Sequence, residues 1–238
     1  MPIIAVYKPK GPTSYDIIRM VKKIAGIKKV GHAGTLDPLA KGVLVIGIGR
    51  DGTKNLGNVV KKEKEYLATI KFGVTSTTDD AEGLKIPSIP EGLKIPSIPE
   101  GEKSVQQVHL KSTKAEIKKV IKKFQGKILQ TPPVFSAIKI KGKEAYKLAR
   151  QGKEVVLRPR EVEVKKIEII SYKWPYLKLR VLTGPGVYIR SLARDIGAKL
   201  KVGGYLFNLE RTRVGDFTKS KAIKTKKLEQ KIKKLIYN

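Results

Sequence analysis

The sequence has no cysteine, which excludes a disulfide framework, a thiolate nucleophile and a Cys-based zinc site. Histidine is almost as scarce: His32 and His109 are the only two, too few for a His-rich metal centre, so neither a metal nor a metal-borne cofactor is expected. Long apolar runs are missing too. The opening MPIIAVYK carries a short apolar stretch without a basic flank or a cleavage signature, and nothing approaches the roughly 20 apolar residues of a membrane helix. No membrane partner is expected, and the cytoplasm is the expected compartment. Acidic residues are few beside basic ones. Lys and Arg number 51 against 21 Asp and Glu, a formal charge of +30 with pI ≈ 10.1. Such an excess repels itself in a compact state, so a polyanionic partner, most commonly nucleic acid, accounts for it. A Lys-rich composition suited to heat, poor in Cys, Asn and Gln, is a compatible second source of the charge.

The chain of 238 residues, 40% hydrophobic and 30% charged, is long enough for a real core and has the composition of a globular protein. Its most distinctive stretch is Gly31-His32-Ala33-Gly34-Thr35-Leu36-Asp37-Pro38-Leu39-Ala40-Lys41-Gly42. Three glycines, one of the histidines and one carboxylate followed by proline describe a shaped loop rather than a helix or strand face. Glycine admits positive φ and close approach, and Pro38 drives Asp37 toward an extended conformation. Read from the residues alone, Asp37 is either an aimed functional carboxylate or a turn-stabilising Asx residue, and His32 is a structural histidine. The apolar run Val43 to Gly49 that follows suits a strand buried on both faces.

Residues 2 to 7 read as a buried strand that stops at the basic turn KPKGP. Thr13 and Asp16 form a capping-box pattern, Ile17, Ile18, Val21 and Ile24 the helical stripe behind it, and Gly26 the stop. Lys64 to Gly73 alternates as a strand with Tyr66 near its start, where an aromatic is ordinary. The tandem EGLKIPSIP copies at 82–90 and 91–99 are too few for a solenoid and read as an extended surface loop or edge segment. Lys114 to Phe124 is an amphipathic helix closed by Gly126. The basic section around Phe135 and Tyr146 leads into a helix to Arg150 and suits either a phosphate backbone or a solvated hairpin. Residues 160 to 183 alternate as two strands joined near Trp174-Pro175, and GPGVYIRSLARDIG turns into a helix whose first turn carries Tyr188 and Arg190. Gly203 to Arg211 reads as the last core strand, and the tail from Lys219 as Lys-rich and weakly helical.

Taken in order, KPKGPTSYD, GHAGTLDPLAKGVL, KEYLATIKFG with TSTTDDAEG, TPPVFSAIK, GPGVYIRSLARDIG and LERTRVGDF resemble the TruB family of tRNA pseudouridine synthases over about residues 3 to 217. The resemblance implies an α+β pseudouridine-synthase fold, a mixed and mostly antiparallel sheet flanked by helices, with a thumb inserted at about 124–154. It implies a catalytic domain over 1–218, a tail at 219–238 and no C-terminal PUA domain, since the chain ends about where one would begin. The implied activity is an isomerase that converts uridine-55 of the tRNA T-loop into pseudouridine without cofactor or metal. By the same resemblance Asp37 is the catalytic carboxylate, Arg190 its paired arginine and Tyr66 an active-site tyrosine that stacks on the uracil. Tyr188 and Leu209 line the nucleotide pocket, and His32 helps place an everted nucleotide. The implied partner is the T-arm of tRNA, with a monomer as the default state. Glu210 stands where the family commonly has a basic residue, so no phosphate contact is carried over there. Two other readings stay open: a non-catalytic basic RNA-binding protein or tRNA chaperone, and a guide-dependent dyskerin-like synthase.

Overall fold

The computed structural model describes residues 2–88, 111–140 and 142–237. In chain order the strands are β1 Ile3–Lys8, β2 Val30–His32, β3 Lys41–Ile48, β4 Lys64–Phe72, β5 Val74–Ser76, β6 Lys85–Pro87, β7 Gly126–Gln130, β8 Lys139–Ile140, β9 Lys143–Glu144, β10 Arg160–Lys173, β11 Tyr176–Thr183, β12 Gly204–Val214, β13 Phe217–Thr218 and β14 Ile223–Lys224. The helices are α1 Ser14–Ala25, α2 Gly49–Lys54, α3 Leu56–Val60, α4 Lys114–Lys122, α5 Ala145–Arg150, α6 Ile189–Lys199 and α7 Leu228–Tyr237. Ten strands make one sheet in the order β14-β1-β3-β12-β4-β11-β10-β7, with β13 on β12 and β2 on β3. Among the described residues, only the β1–β14 and β3–β12 strand pairs of this sheet are parallel. This is the mixed, mostly antiparallel α+β sheet that the resemblance implies.

Local chemistry sets the elements. Thr13 accepts from the Asp16 amide at 3.1 Å while Asp16 accepts from the Thr13 amide at 2.8 Å, a reciprocal cap that starts α1. Gly26 ends it at φ 65°. Ile17, Ile18, Val21 and Ala25 then face the sheet. On β4 the alternate residues Lys64, Tyr66, Ala68, Ile70 and Phe72 point inward, and on β11 Leu177, Leu179, Val181 and Thr183 do the same. Strand β3 is buried on both faces from Gly42 onward, as its uniform apolar run requires. The loop from Ala33 to Ala40 is therefore slung between two neighbouring strands, β2 and β3, beside the centre of the core.

Two expectations need correction. Residues 219–238 are not an appended tail: β14 extends the sheet beside β1, and Leu228 and Ile232 of α7 are fully buried. In α7, Lys231, Lys233 and Lys234 are exposed on the outer side of the helix. Strand β12 is likewise followed by β13 and β14 rather than being the last. Helices α2 and α3, between β3 and β4, had no clear apolar stripe to announce them. Of the tandem repeat, the first copy contributes β6 against β5, while the second copy and His109 lie outside the described residues.

One glycine in the loop region is fixed by close approach. Gly42 has φ 117°, and a Cβ there would lie 2.1 Å from the backbone oxygen of Arg211 on the parallel neighbour β12. Neither backbone can yield without opening the β3–β12 pair. Gly42→Ala is expected to lower unfolding stability by at least about 2 kcal/mol. Chemical denaturation checks this, and an unchanged midpoint would show that the strands can separate at no cost.

Candidate active site

Asp37 is held by its neighbours on both sides. The Ser14 hydroxyl donates to the Leu36 carbonyl at 2.9 Å and accepts from the Leu36 amide at 2.8 Å. Behind Asp37, the Gly11 amide donates to Pro38 O at 2.9 Å, and the Ala40 amide closes a turn onto Asp37 O at 3.0 Å. Beneath the loop lies Arg211, 1% exposed. Its guanidinium donates to Val43 O at 2.8 Å, Gly34 O at 3.0 Å and Thr35 O at 3.4 Å, which ties both arms of the loop to β12. Among the described residues no carboxylate lies within ion-pair distance of Arg211, and its guanidinium is held by these backbone carbonyls.

Arg190 reaches the Asp37 carboxylate from the first turn of α6. The contact is bidentate: Nε to Oδ2 at 3.0 Å and Nη2 to Oδ1 at 3.2 Å. The arginine side chain is 6% exposed and the Asp37 side chain 34%, so the cation is enclosed and the carboxylate is the more accessible partner. The remaining donors of Arg190 are also engaged. Nη2 donates to Phe135 O at 2.9 Å, Nη1 donates to Thr78 O at 3.3 Å, and Nη1 stands 3.7 Å from the buried Asp80 carboxylate. Asp80 is fixed in turn by the Thr78 hydroxyl at 2.5 Å and the Glu82 amide at 3.0 Å.

Burial pushes the Asp37 carboxyl above its usual range, Arg190 pulls it back, and the neighbouring Asp80 charge pushes it up again. Lys8 is a further cation on this side. It is fully buried, with Nζ donating to Pro12 O at 2.7 Å and Pro9 O at 3.0 Å. Desolvation lowers its pKa to about 8 despite the field of Asp37. The site thus combines an anion that resists ionising with cations that support it.

Of the other expected residues, Tyr188 adjoins this pair in sequence, Tyr66 and Leu209 belong to the core, and His32 lies at the end of β2. Tyr188 caps α6 two positions before Arg190. Its backbone N–H donates to the Gln130 side chain at 2.8 Å and its carbonyl accepts from Gln130 at 3.1 Å. Burial raises the Tyr188 phenol, an effect that Arg190 opposes. Tyr66 on β4 and Leu209 on β12, each 6% exposed, share one buried cluster with Leu36 and Ile189, the immediate neighbours of Asp37 and Arg190. Tyr66 makes no hydrogen bond to Asp37 among the described residues; it belongs to the floor. His32 ends β2 opposite Ile46. It touches neither Asp37 nor Arg190 through a hydrogen bond, and burial with the Arg211 charge lowers its pKa, which favours the neutral imidazole.

The expected thumb is anchored at its base by α6. Ser191 and Arg194 both donate to Thr131 O at 2.8 Å, and Arg194 is paired with Asp79 at 2.7 Å. Glu210 is committed elsewhere: it pairs with Lys219 at 2.6 Å and accepts from the Tyr7 hydroxyl at 2.9 Å. Arg211, Asp80, Lys8 and Gln130 were not singled out by the sequence reading. Their only signal was membership of the motifs LERTRVGDF, TSTTDDAEG, KPKGP and the stretch before TPPVFSAIK.

A carboxylate oriented by a bidentate arginine can, when ionised, act as a nucleophile or stabilise developing positive charge beside it. The family model for the TruB family pseudouridylate synthase N-terminal domain matches residues 22–189, and that for the tRNA pseudouridylate synthase B C-terminal domain matches residues 190–235. The chain is 42% identical over 226 residues to tRNA pseudouridine synthase B of Clostridium novyi, covering 95% of this chain and 71% of that one. To the protein of the same name from Clostridium acetobutylicum it is 43% identical over 237 residues, covering 99% and 75%. Among solved structures it is similar to a chain of a Cbf5-Nop10-Gar1 complex, with TM-score 0.69 and 28% identity over 96% of this chain. It spans 53% of that chain, about half its length.

Removing Arg190 leaves two carboxylates and two carbonyls without their shared donor. Arg190→Gln is expected to cost about 3 kcal/mol at neutral pH. It is also expected to move the Asp37 titration upward, because the cation that lowers it is lost while desolvation and Asp80 remain. Carboxyl-detected NMR of wild type and variant checks this; an Asp37 titration that stays in place or moves down contradicts the electrostatic reading.

Proposed function

The chain belongs to the TruB family of pseudouridylate synthases, and on that premise we propose that it isomerises uridine-55 in the T-loop of tRNA to pseudouridine, with Asp37 as the catalytic carboxylate. The observation that carries this reading is the bidentate Arg190–Asp37 pair, with the arginine 6% and the aspartate 34% exposed. The reaction breaks the N1–C1′ bond, turns the uracil, joins C5 to C1′ and releases the C5 proton while N1 takes one up. Atoms balance without a co-reactant.

Each residue has a part in that sequence. The Asp37 carboxylate, ionised against Arg190, stands at C1′ as nucleophile or as partner to oxocarbenium character. Tyr66 stacks on the uracil and is suited to the C5 proton. Tyr188 and Leu209 wall the nucleotide, and neutral His32 helps hold it out of the RNA stack, because C1′ and C5 are inaccessible in a folded loop. The segment from about 124 to 154 acts as a thumb on the T-arm, supported by its lysines and by its anchorage to α6 next to the catalytic pair. The formal charge of +30 favours phosphate contact over a broad surface and makes binding salt-dependent.

Asp37, Tyr66, Tyr188, Arg190 and Leu209 all come from one chain, which supports a monomer as the working unit. A tRNA substrate supports the cytoplasm as its compartment. Among the described residues no helix is long and apolar enough to cross a membrane, and no group of His, Cys, Asp and Glu could hold a metal ion.

The wild type, incubated with a tRNA transcript tritiated at uridine C5, is expected to release tritium, and Asp37→Asn to release none above background. Transcripts with uridine-55 replaced should also release none from that position. No release by the wild type, or undiminished release by Asp37→Asn, overturns the proposal. Activity on naked tRNA separates it from a guide-dependent synthase and from a non-catalytic RNA-binding protein.

A further inference from the structure

Among the described side chains three aromatics are exposed, Tyr15, Tyr176 and Phe207. Two of them meet. The rings of Tyr176 and Phe207 stand 5.2 Å apart between centroids, inclined at 60°, an arrangement that aromatic pairs favour. They remain 39% and 40% exposed, although folding normally hides such rings. A solvent-facing aromatic pair is thus the feature of this surface that the core does not explain.

Strand register assembles a patch around the pair. Tyr176 of β11 stands opposite Lys71 of β4, and Lys71 stands opposite Tyr205 of β12, so these three side chains share one face of the sheet. It is the face of β4 opposite to the one that carries Tyr66, Ala68 and Ile70 into the core. Phe207 sits at the irregularity between Leu206 and Asn208, where an extra residue re-aims a side chain. Cations lie among the rings: Lys71 Nζ is 5.9 Å from the Tyr176 centroid and Lys85 Nζ 4.9 Å from that of Tyr205. Lys173, opposite Tyr176 on β10, and Lys178, two positions along β11, are exposed at the rim. Among the described residues no carboxylate lies within ion-pair distance of Lys71, Lys173 or Lys178.

Exposed rings bordered by unpaired cations match the chemistry of single-stranded nucleic acid, whose bases stack on aromatic faces while lysines take the phosphates. A second copy of the chain would bring the same lysines and a formal charge of +30, which opposes self-association here. We propose that the outer face of β11, β4 and β12 is a binding platform for single-stranded RNA, with a base stacked on Tyr176 or Phe207 and the neighbouring phosphates held by Lys71 and Lys178. The platform is separate from Asp37 and does not depend on the reaction assigned to it.

The test is the affinity of the full chain for a fluorescein-labelled oligouridylate of about 12 nucleotides, followed by fluorescence anisotropy. The double variant Tyr176→Leu, Phe207→Leu keeps apolar area but removes both π-faces. It is expected to bind about 10-fold more weakly or worse, with an unchanged thermal midpoint and with kcat/KM for a T-arm hairpin within twofold of wild type. Lys178→Gln, a surface change, should reduce the salt dependence of binding by about one ion. Affinity of the double variant within twofold of wild type overturns the inference, as does an unaltered salt dependence in Lys178→Gln. A wild-type dimer in sedimentation that the double variant dissociates also overturns it, because the patch would then cover a second copy. Binding is read without turnover, so a protein that binds through these rings but releases no tritium keeps this inference while losing the proposed function.

Discussion

A single buried guanidinium organises this protein. Arg190 binds the Asp37 carboxylate through two nitrogens, approaches Asp80, and donates to the backbone of Thr78 and Phe135. Four segments remote in sequence, the Asp37 loop, the turn after β5, the expected thumb and helix α6, meet on one side chain. Such a group is costly to bury alone and stable only when its donors are filled. Displacing any of the four segments leaves part of the charge unmatched, so the geometry of the site and the integrity of the core are the same constraint. An arginine suits this position better than a lysine, since its planar fork can serve a carboxylate bidentately and still present donors at its rear.

The loop that Arg190 meets is preorganised from below by a second arginine. Arg211 holds the Gly34, Thr35 and Val43 carbonyls, while Ser14 grips Leu36 from α1. Gly42 permits β12 to pass close enough for this to happen. The loop is thus clamped on both sides of Asp37 before any ligand arrives, which is the condition for electrostatic catalysis without reorganisation. The cations Lys8, Lys64 and Arg211 all lie under or beside it and are buried. Burial lowers the Lys64 pKa to about 8, as it does for Lys8, with Arg211 adding to the effect on both.

Much of the secondary structure was legible in the residues. The Thr13–Asp16 box, the α4 stripe of Ile117 and Ile121 and the alternation along β4 and β11 are local signals, and local physics honours them. The site was legible in a different way. Asp37 and Arg190 are 153 positions apart, and no periodicity connects them; the family resemblance did. Arg211, Lys8 and Lys64 escaped notice because a charge within an alternating or basic stretch reads as surface, whereas here each lysine caps backbone carbonyls and the arginine solvates a loop. The C-terminal segment was misread for a related reason. Its lysines dominate the composition, but Leu228 and Ile232 lie one helical turn apart and belong to the core. The second EGLKIPSIP copy lies outside the described residues.

The central claim is that Asp37, held by Arg190, faces the sugar carbon of an everted uridine. A crystal structure of the Asp37→Asn protein with a T-arm RNA hairpin tests it directly. The account predicts the target uridine out of the stack, its C1′ within about 3.5 Å of the side-chain oxygen at position 37, and Arg190 still against that side chain. A target uridine stacked in the loop, or C1′ facing any other group with Arg190 turned away, would contradict it.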